Sequence, residues 1–112
     1  MKNKSNYLSK VPIRSPKIAH KTEAEGMVIL QIQNTGAVNF IVRKILKKPQ
    51  TSYIHLDKTG SFVWLSIDGN KSIYDIALLL EENFGNNSHP LYERITKFFF
   101  VLEKNGFIIW AK

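Results

Sequence analysis

A chain of 112 residues without a cysteine is long enough for one hydrophobic core, and it excludes disulfides, thiolate metal sites and cysteine nucleophiles. Apolar residues make up 44% of the sequence, which predicts a globular domain, and no apolar run is long enough to cross a membrane. The basic N-terminus lacks the apolar segment of a signal peptide, so we expect a cytoplasmic protein.

The formal net charge of +7 is concentrated at the front of the chain. Residues 1–22 contain six basic and no acidic residues, whereas residues 58–112 contain six of each. Residues 1–16 also carry two prolines and predict a basic, flexible arm, although Pro12 could anchor extended chain. We expect a single domain over residues 17–112.

Residues 17–33 predict a β-hairpin. Its strands are KIAHKT and MVILQIQ, and the turn lies at Glu25-Gly26. In the second strand, alternation places Val28, Leu30 and Ile32 on one face. This is the face that we expect to enter the core.

The segment AVNFIVRKILKK, residues 37–48, follows the helical period rather than the period of a strand. Pro49 follows it as a stop signal. We therefore expect an amphipathic helix between the second and third strands, within an insertion over residues 37–50, with Phe40 on its basic face. That face is either a solvated cover of the core or a surface for lipid or a partner.

A third strand over residues 52–56 precedes three helices. Asp57 is placed to cap a helix over residues 58–67, and Ser72 with Asp75 forms a capping box for the helix that ends at Gly85. The last helix spans residues 91–105, and a short extended piece follows it. Three helices joined by short turns have the size of a helix-turn-helix or winged-helix unit.

The last helix has a clear core face and one residue that does not fit it. Residues spaced at helical period form the core face: Leu91, Ile95, Phe98, Phe99 and Leu102. Phe100 falls almost opposite this face. It is either a tolerated exposed aromatic or part of a binding or homodimer patch.

The sequence offers no converging groups for catalysis. The three histidines are widely spaced and match no metal-binding motif, and the isolated glycines match no phosphate-binding loop. We expect no enzymatic activity, no metal and no cofactor.

Several short motifs resemble the PqqD-like family, the recognition elements of pathways that modify ribosomally made peptides. They are Leu56-Asp57, Thr59-Gly60, Val63-Trp64, Asp68-Gly69, Ile76-Ala77 and the stretch from Leu102 to Phe107. The segment EGMVIL also fits the early strand of the family. The resemblance extends over residues 11–110 and is strongest over residues 53–110.

The resemblance implies an α+β fold, in which a three-stranded antiparallel sheet packs on a three-helix bundle of the winged helix-turn-helix type. It also implies that the leader segment of a precursor peptide adds as a strand beside the third strand. The complex is then presented to a modifying enzyme, often a radical S-adenosylmethionine enzyme, in cofactor biosynthesis or in another peptide pathway. The expected peptide-binding residues are Tyr53, Ile54, His55, Leu56, Arg94, Lys97, Phe98 and Val101.

The alternative is a winged-helix protein that binds nucleic acid through its basic N-terminal arm. A recognition helix should be clearly basic and carry polar side chains that read bases. The helix over residues 91–105 is instead rich in aromatic residues and mixed in charge. The peptide-binding hypothesis is therefore preferred, with no membrane partner expected.

Overall fold

The computed structural model describes residues 7–33 and 51–111. Within these residues the chain forms strands β1 (Pro12–Arg14), β2 (Ile18–Thr22), β3 (Val28–Gln33), β4 (Thr51–His55) and β5 (Ile108–Trp110), and helices α1 (Lys58–Ser66), α2 (Ile73–Phe84) and α3 (Leu91–Lys104). The predicted α+β class is confirmed. The helix predicted over residues 37–48, together with Phe40, lies outside the described residues.

Strands β2, β3 and β4 form an antiparallel sheet in that order, which confirms the predicted hairpin and third strand. Val28 and Leu30 are fully buried on the face that packs against the helices, as the alternation in β3 predicts. The hairpin turns through a 3-10 segment, Ala24–Gly26, in which Glu25 has a φ of 65° and Gly26 a φ of 78°. In the described part of the chain, β4 pairs on one side only.

The segment Pro12–Arg14 lies in the predicted arm, but it is a strand that pairs antiparallel with β5. Pro12 is fully buried and lies opposite Trp110. The ring of Tyr7 packs edge-on against Trp110, with 5.7 Å between ring centroids. The expectation of a flexible arm therefore does not hold for this segment, because it buries apolar surface against the C-terminal strand. Residues 1–6 lie outside the described residues.

The core lies between the three-stranded sheet and the helices. Its largest fully buried side chains include one from each of four elements: Leu30 of β3, Trp64 of α1, Ile76 of α2 and Phe99 of α3. Burial of an aliphatic or aromatic side chain of this size contributes about 2 kcal/mol relative to exposure. The packing of these helices is therefore what holds the sheet and its free edge in place.

The predicted caps are confirmed. Asp57 Oδ1 accepts a hydrogen bond from the Gly60 amide at 2.7 Å, so α1 begins directly after β4. Ser72 and Asp75 form the capping box of α2, through bonds of 3.1 and 3.0 Å. The short link between β4 and α1 places the end of the strand beside the helical unit.

Candidate functional site

The outer edge of β4, called the free edge because no strand in the described part of the chain pairs with it, presents two different sets of groups. Ile54 lies opposite Leu30, and it therefore faces the same side of the sheet as the core. Tyr53 and His55 face the other side, opposite Gln31 and Ile29. Ile54 is 37% exposed although Leu30 beside it is completely buried, so the core side of the sheet is open at β4.

The backbone hydrogen-bonding groups of β4 also alternate in direction along the strand. The amide of Leu56 donates to the carbonyl of Val28 at 2.9 Å, so Leu56 bonds toward β3. In an antiparallel pair, every second residue bonds to a given neighbour. Ile54 therefore also bonds toward β3, whereas the N–H and C=O groups of Tyr53 and His55 point to the free edge.

A small cleft lies between the helices, next to the end of β4. Its volume is about 100 Å³, and its lining residues are Asp57, Thr59, Gly60, Val63, Leu80, Arg94, Ile95 and Phe98. Pockets for small molecules usually have volumes of roughly 300–1,000 Å³. The cleft is therefore too small for most metabolites, but its size suits a single apolar side chain.

Gly60 allows α1, the end of β4 and α3 to approach one another closely. A Cβ atom at this position would lie 3.3 Å from Cε1 of Phe98 and 3.6 Å from Cβ of Leu56. A larger residue would push against the Phe98 ring or the strand end. The missing side chain of Gly60 thus sets the width of the cleft.

Helix α3 supplies the second wall. Arg94, Phe98 and Val101 follow the spacing i, i+4, i+7 and share one flank of the helix. The guanidinium of Arg94 donates from Nη1 to the carbonyl of Asn87 at 2.6 Å. Phe98 is half-buried, and Val101 is 47% exposed. This flank combines apolar surface with one fixed positive charge.

The predicted site residues fall into three groups. Arg94 and Phe98 line the cleft, and Leu56 and Phe98 both approach Gly60. Val101 continues the same flank of α3, whereas Ile54 lies on the core side of β4 and is not among the residues that line the cleft. The side chains of Tyr53 and His55 face away from the helices, although their backbone groups meet the free edge. Lys97 is exposed on α3, and Phe100 is 52% exposed with the Lys104 ammonium 5.5 Å from its ring centroid.

Sequence reasoning missed part of the cleft. Asp57 was expected to cap a helix, and Thr59, Gly60, Val63 and Leu80 were not among the expected peptide-binding residues. The structure shows that these residues also line the cleft. Gly60 could have indicated the cleft in the sequence, because a glycine inside the first turn of a helix often marks a close approach of another element.

The two charged side chains that line the cleft already form hydrogen bonds within the fold. The Asp57 carboxylate accepts the helix-capping bond, and Arg94 donates to a carbonyl. In residues 7–33 and 51–111, no group of three His, Cys, Asp or Glu side chains is placed to hold a metal. No helix in this part of the chain is long and apolar enough to cross a membrane.

The fold and the cleft define a small α+β domain in which one edge of the sheet lies beside a narrow cleft. The family model of Coenzyme PQQ synthesis protein D (PqqD) matches residues 26–108. The chain therefore belongs to the PqqD family, as its motifs predicted. Members of this family are non-catalytic accessory proteins of peptide-modification pathways. No curated protein and no solved structure matches the chain.

Proposed function

We propose that this protein binds the leader segment of a ribosomally made precursor peptide by strand addition to β4 and presents it to a modifying enzyme. The observation that carries the proposal is the edge of β4 to which no further strand pairs within residues 7–33 and 51–111, next to a cleft the size of one side chain. An added strand obtains its affinity from main-chain bonds and its selectivity from pockets beside the edge. The edge and the cleft next to the end of β4 support both parts of this binding mode.

The main-chain bonds would form at Tyr53 and His55, whose N–H and C=O groups point away from β3. An edge strand with such outward groups is a template for a further strand. The alternate side chains of that added strand would face the helices. They would pack against Ile54 and reach toward the cleft that Phe98 walls.

The charges of α3 favour an acidic peptide. Arg94 and Lys97 lie on the part of α3 that would face or flank the added strand. An exposed ion pair of this kind contributes about 0–1 kcal/mol, so it guides and selects the peptide more than it holds it. The affinity would come mainly from the strand and from the apolar contact.

The partner in this proposal is a peptide-modifying enzyme, with a radical S-adenosylmethionine enzyme as the expected class. The three helices would serve as a winged helix-turn-helix-like support for the groove. The family match does not support the nucleic-acid alternative. Helix α3 carries Glu93 and Glu103 beside its basic residues, which makes it a poor surface for a phosphate backbone.

The direct test is an NMR titration of the labelled protein with a candidate leader peptide. We expect the amide shifts to concentrate in residues 52–56 and 94–101. A salt series should weaken the binding only modestly, because few ion pairs are involved. Shifts confined to residues 7–22 on addition of duplex DNA, with β4 unchanged by the peptide, would contradict the proposal.

A further inference from the structure

A second exposed surface lies on the outer face of α2. Tyr74, Leu78 and Glu82 follow one another at intervals of four residues and so form one stripe. The rings of Tyr74 and Tyr92 are stacked, with centroids 6.2 Å apart and planes at 7°. Tyr74, Leu78 and Tyr92 are 44%, 43% and 36% exposed. Two stacked aromatic rings and a leucine are thus available to a partner.

The charged residues of α2 are all acidic, and two of them border this patch. Glu81 and Glu82 follow Leu78 on the outer face, and Glu93 adjoins Tyr92 in sequence. The pKa of Tyr92 is raised, chiefly by partial desolvation and further by the nearby Tyr74 phenol and Glu81 carboxylate. The negative charge therefore reaches the aromatic pair. We call Tyr74, Leu78, Tyr92, Glu81, Glu82 and Glu93 the acidic tyrosine face.

The lysine and arginine nearest in sequence are directed elsewhere, whereas His89 Nε2 lies 3.1 Å from Oε2 of Glu81 within this face. Lys71 pairs with Asp68, with 2.6 Å between Nζ and Oδ2. The Arg94 guanidinium donates to Asn87 on the flank of α3 that walls the cleft. On a chain whose net charge is +7, this face therefore carries Glu82 and Glu93, while the nearest lysine and arginine are directed away from it.

The acidic tyrosine face and the cleft point in different directions. Tyr92 and Arg94 are two residues apart in α3, so their side chains leave the helix about 200° apart. Arg94 lines the cleft, whereas Tyr92 stacks on the outer surface of α2. A partner on one surface would leave the other surface free.

We propose that the acidic tyrosine face docks an arginine-bearing, basic surface of a protein partner. A guanidinium stacks on an aromatic face and pairs with a carboxylate through two parallel bonds, whereas an ammonium ion lacks this planar geometry. Tyrosine and arginine are also the residues that dominate protein interfaces. That this partner is the modifying enzyme rests on the proposed function. The preference of the face for an arginine-bearing surface rests on its own residues instead.

The test uses a soluble amphipathic helical peptide with arginine and leucine on one side. It is compared with matched peptides in which lysine or glutamate replaces arginine. Amide shifts of the labelled full chain report where each peptide binds. We expect shifts at residues 74–82 and 92–93 with the arginine peptide, binding weaker by about threefold or more with the lysine peptide, and no binding with the glutamate peptide.

Two variants test the face itself. Glu82→Gln with Glu93→Gln removes two charges without removing packing and should weaken binding about three- to tenfold, as should Tyr74→Ser. Lys104→Gln is the control, because it removes a positive charge at the opposite end of α3 and should leave this binding unchanged. The proposal would be overturned if the arginine peptide caused no amide shifts in α2, or if the lysine peptide caused equal shifts there.

The same measurements separate this inference from the proposed function. Leader-peptide binding should be unaffected by Glu82→Gln with Glu93→Gln, so failure of one surface does not imply failure of the other. Dimerisation that is lost in Tyr74→Ser would assign the acidic tyrosine face to a second copy of the chain and would also overturn the proposal.

Discussion

The amide of Val28, the first residue of β3, donates to the hydroxyl of Ser61 in α1 at 2.8 Å. The same hydroxyl lies 3.3 Å from the carbonyl of Leu56, to which it donates. Val28 is fully buried, and Ser61 is 1% exposed. A single hydroxyl thus joins the central strand, the end of β4 and the helix that borders the cleft.

Ser61→Ala should destabilise the protein by about 1–3 kcal/mol, because the buried Val28 amide would lose its acceptor. Denaturant unfolding followed by far-UV circular dichroism measures the change. Ser66→Ala is the matched control in the same helix. It removes a hydroxyl that donates to the Phe62 carbonyl one turn earlier, a bond within the same helix, so it should cost distinctly less. Equal losses in the two variants would show that the bond to Val28 has no special weight.

Gly60→Ala should narrow the cleft and weaken peptide binding several-fold. The added methyl would sit 3.3 Å from the ring of Phe98 and 3.0 Å from Oδ1 of Asp57. Calorimetric titration with the leader peptide measures the affinity. The double change Gly60→Ala with Phe98→Leu removes ring atoms and should restore part of the loss. An unaltered affinity in Gly60→Ala would show that no peptide side chain enters the cleft.

His55→Pro should weaken leader-peptide binding at least tenfold, while the domain stays folded. The amide of His55 points to the free edge, and proline is tolerated where an edge strand directs its N–H outward. Ile54→Pro is the contrasting variant, because it removes an amide that bonds to β3 and should unfold the sheet edge. Retained binding in a folded His55→Pro variant would rule out strand addition at this residue.

Arg94→Gln should lower the affinity for an acidic leader peptide by up to about fivefold, which corresponds to about 1 kcal/mol. The effect should shrink as salt is added, because the charge lies at an exposed rim. Lys104→Gln on the same helix is the control and should have little effect. Its ammonium lies over the exposed ring of Phe100, away from the cleft. A salt-independent loss would assign Arg94 a structural role through its bond to Asn87.

Because of Tyr7, the free energy of unfolding should fall as the pH rises from about 10 to about 12. Burial and the neighbouring Glu103 carboxylate raise the pKa of Tyr7 from 10.0 to about 12. In this range the unfolded chain releases a proton that the folded chain retains, so the free energy of unfolding falls as pH rises. Tyr7→Phe should therefore flatten this part of the stability curve, measured by urea unfolding at pH 9 and pH 11.5. The same slope in Tyr7→Phe would contradict the prediction. Tyr53→Phe is the control, because it removes an exposed phenol and should leave this slope unchanged.

Local signals in the sequence determined most of the element boundaries and the family. Asp57, Ser72 and Gly85 mark helix ends through bonds to residues within one turn, so these positions can be read without a structure. The alternation in β3 and the helical period in α3 likewise reflect neighbours along the chain. The motifs from Leu56 to Phe107 predicted the PqqD family because they preserve these local arrangements together.

Only the tertiary structure decided which distant residues meet. The pairing of Pro12 with Trp110 gives residues 12–14 a partner that no local pattern indicates. Ser61 reaches Val28 across 33 positions, and the cleft combines side chains from α1, α2 and α3. The Tyr74 and Tyr92 rings stack across two helices. Such contacts depend on how the amphipathic elements pack. Packing buries side chains that are far apart in the sequence, so no short segment of the sequence contains the information that determines it.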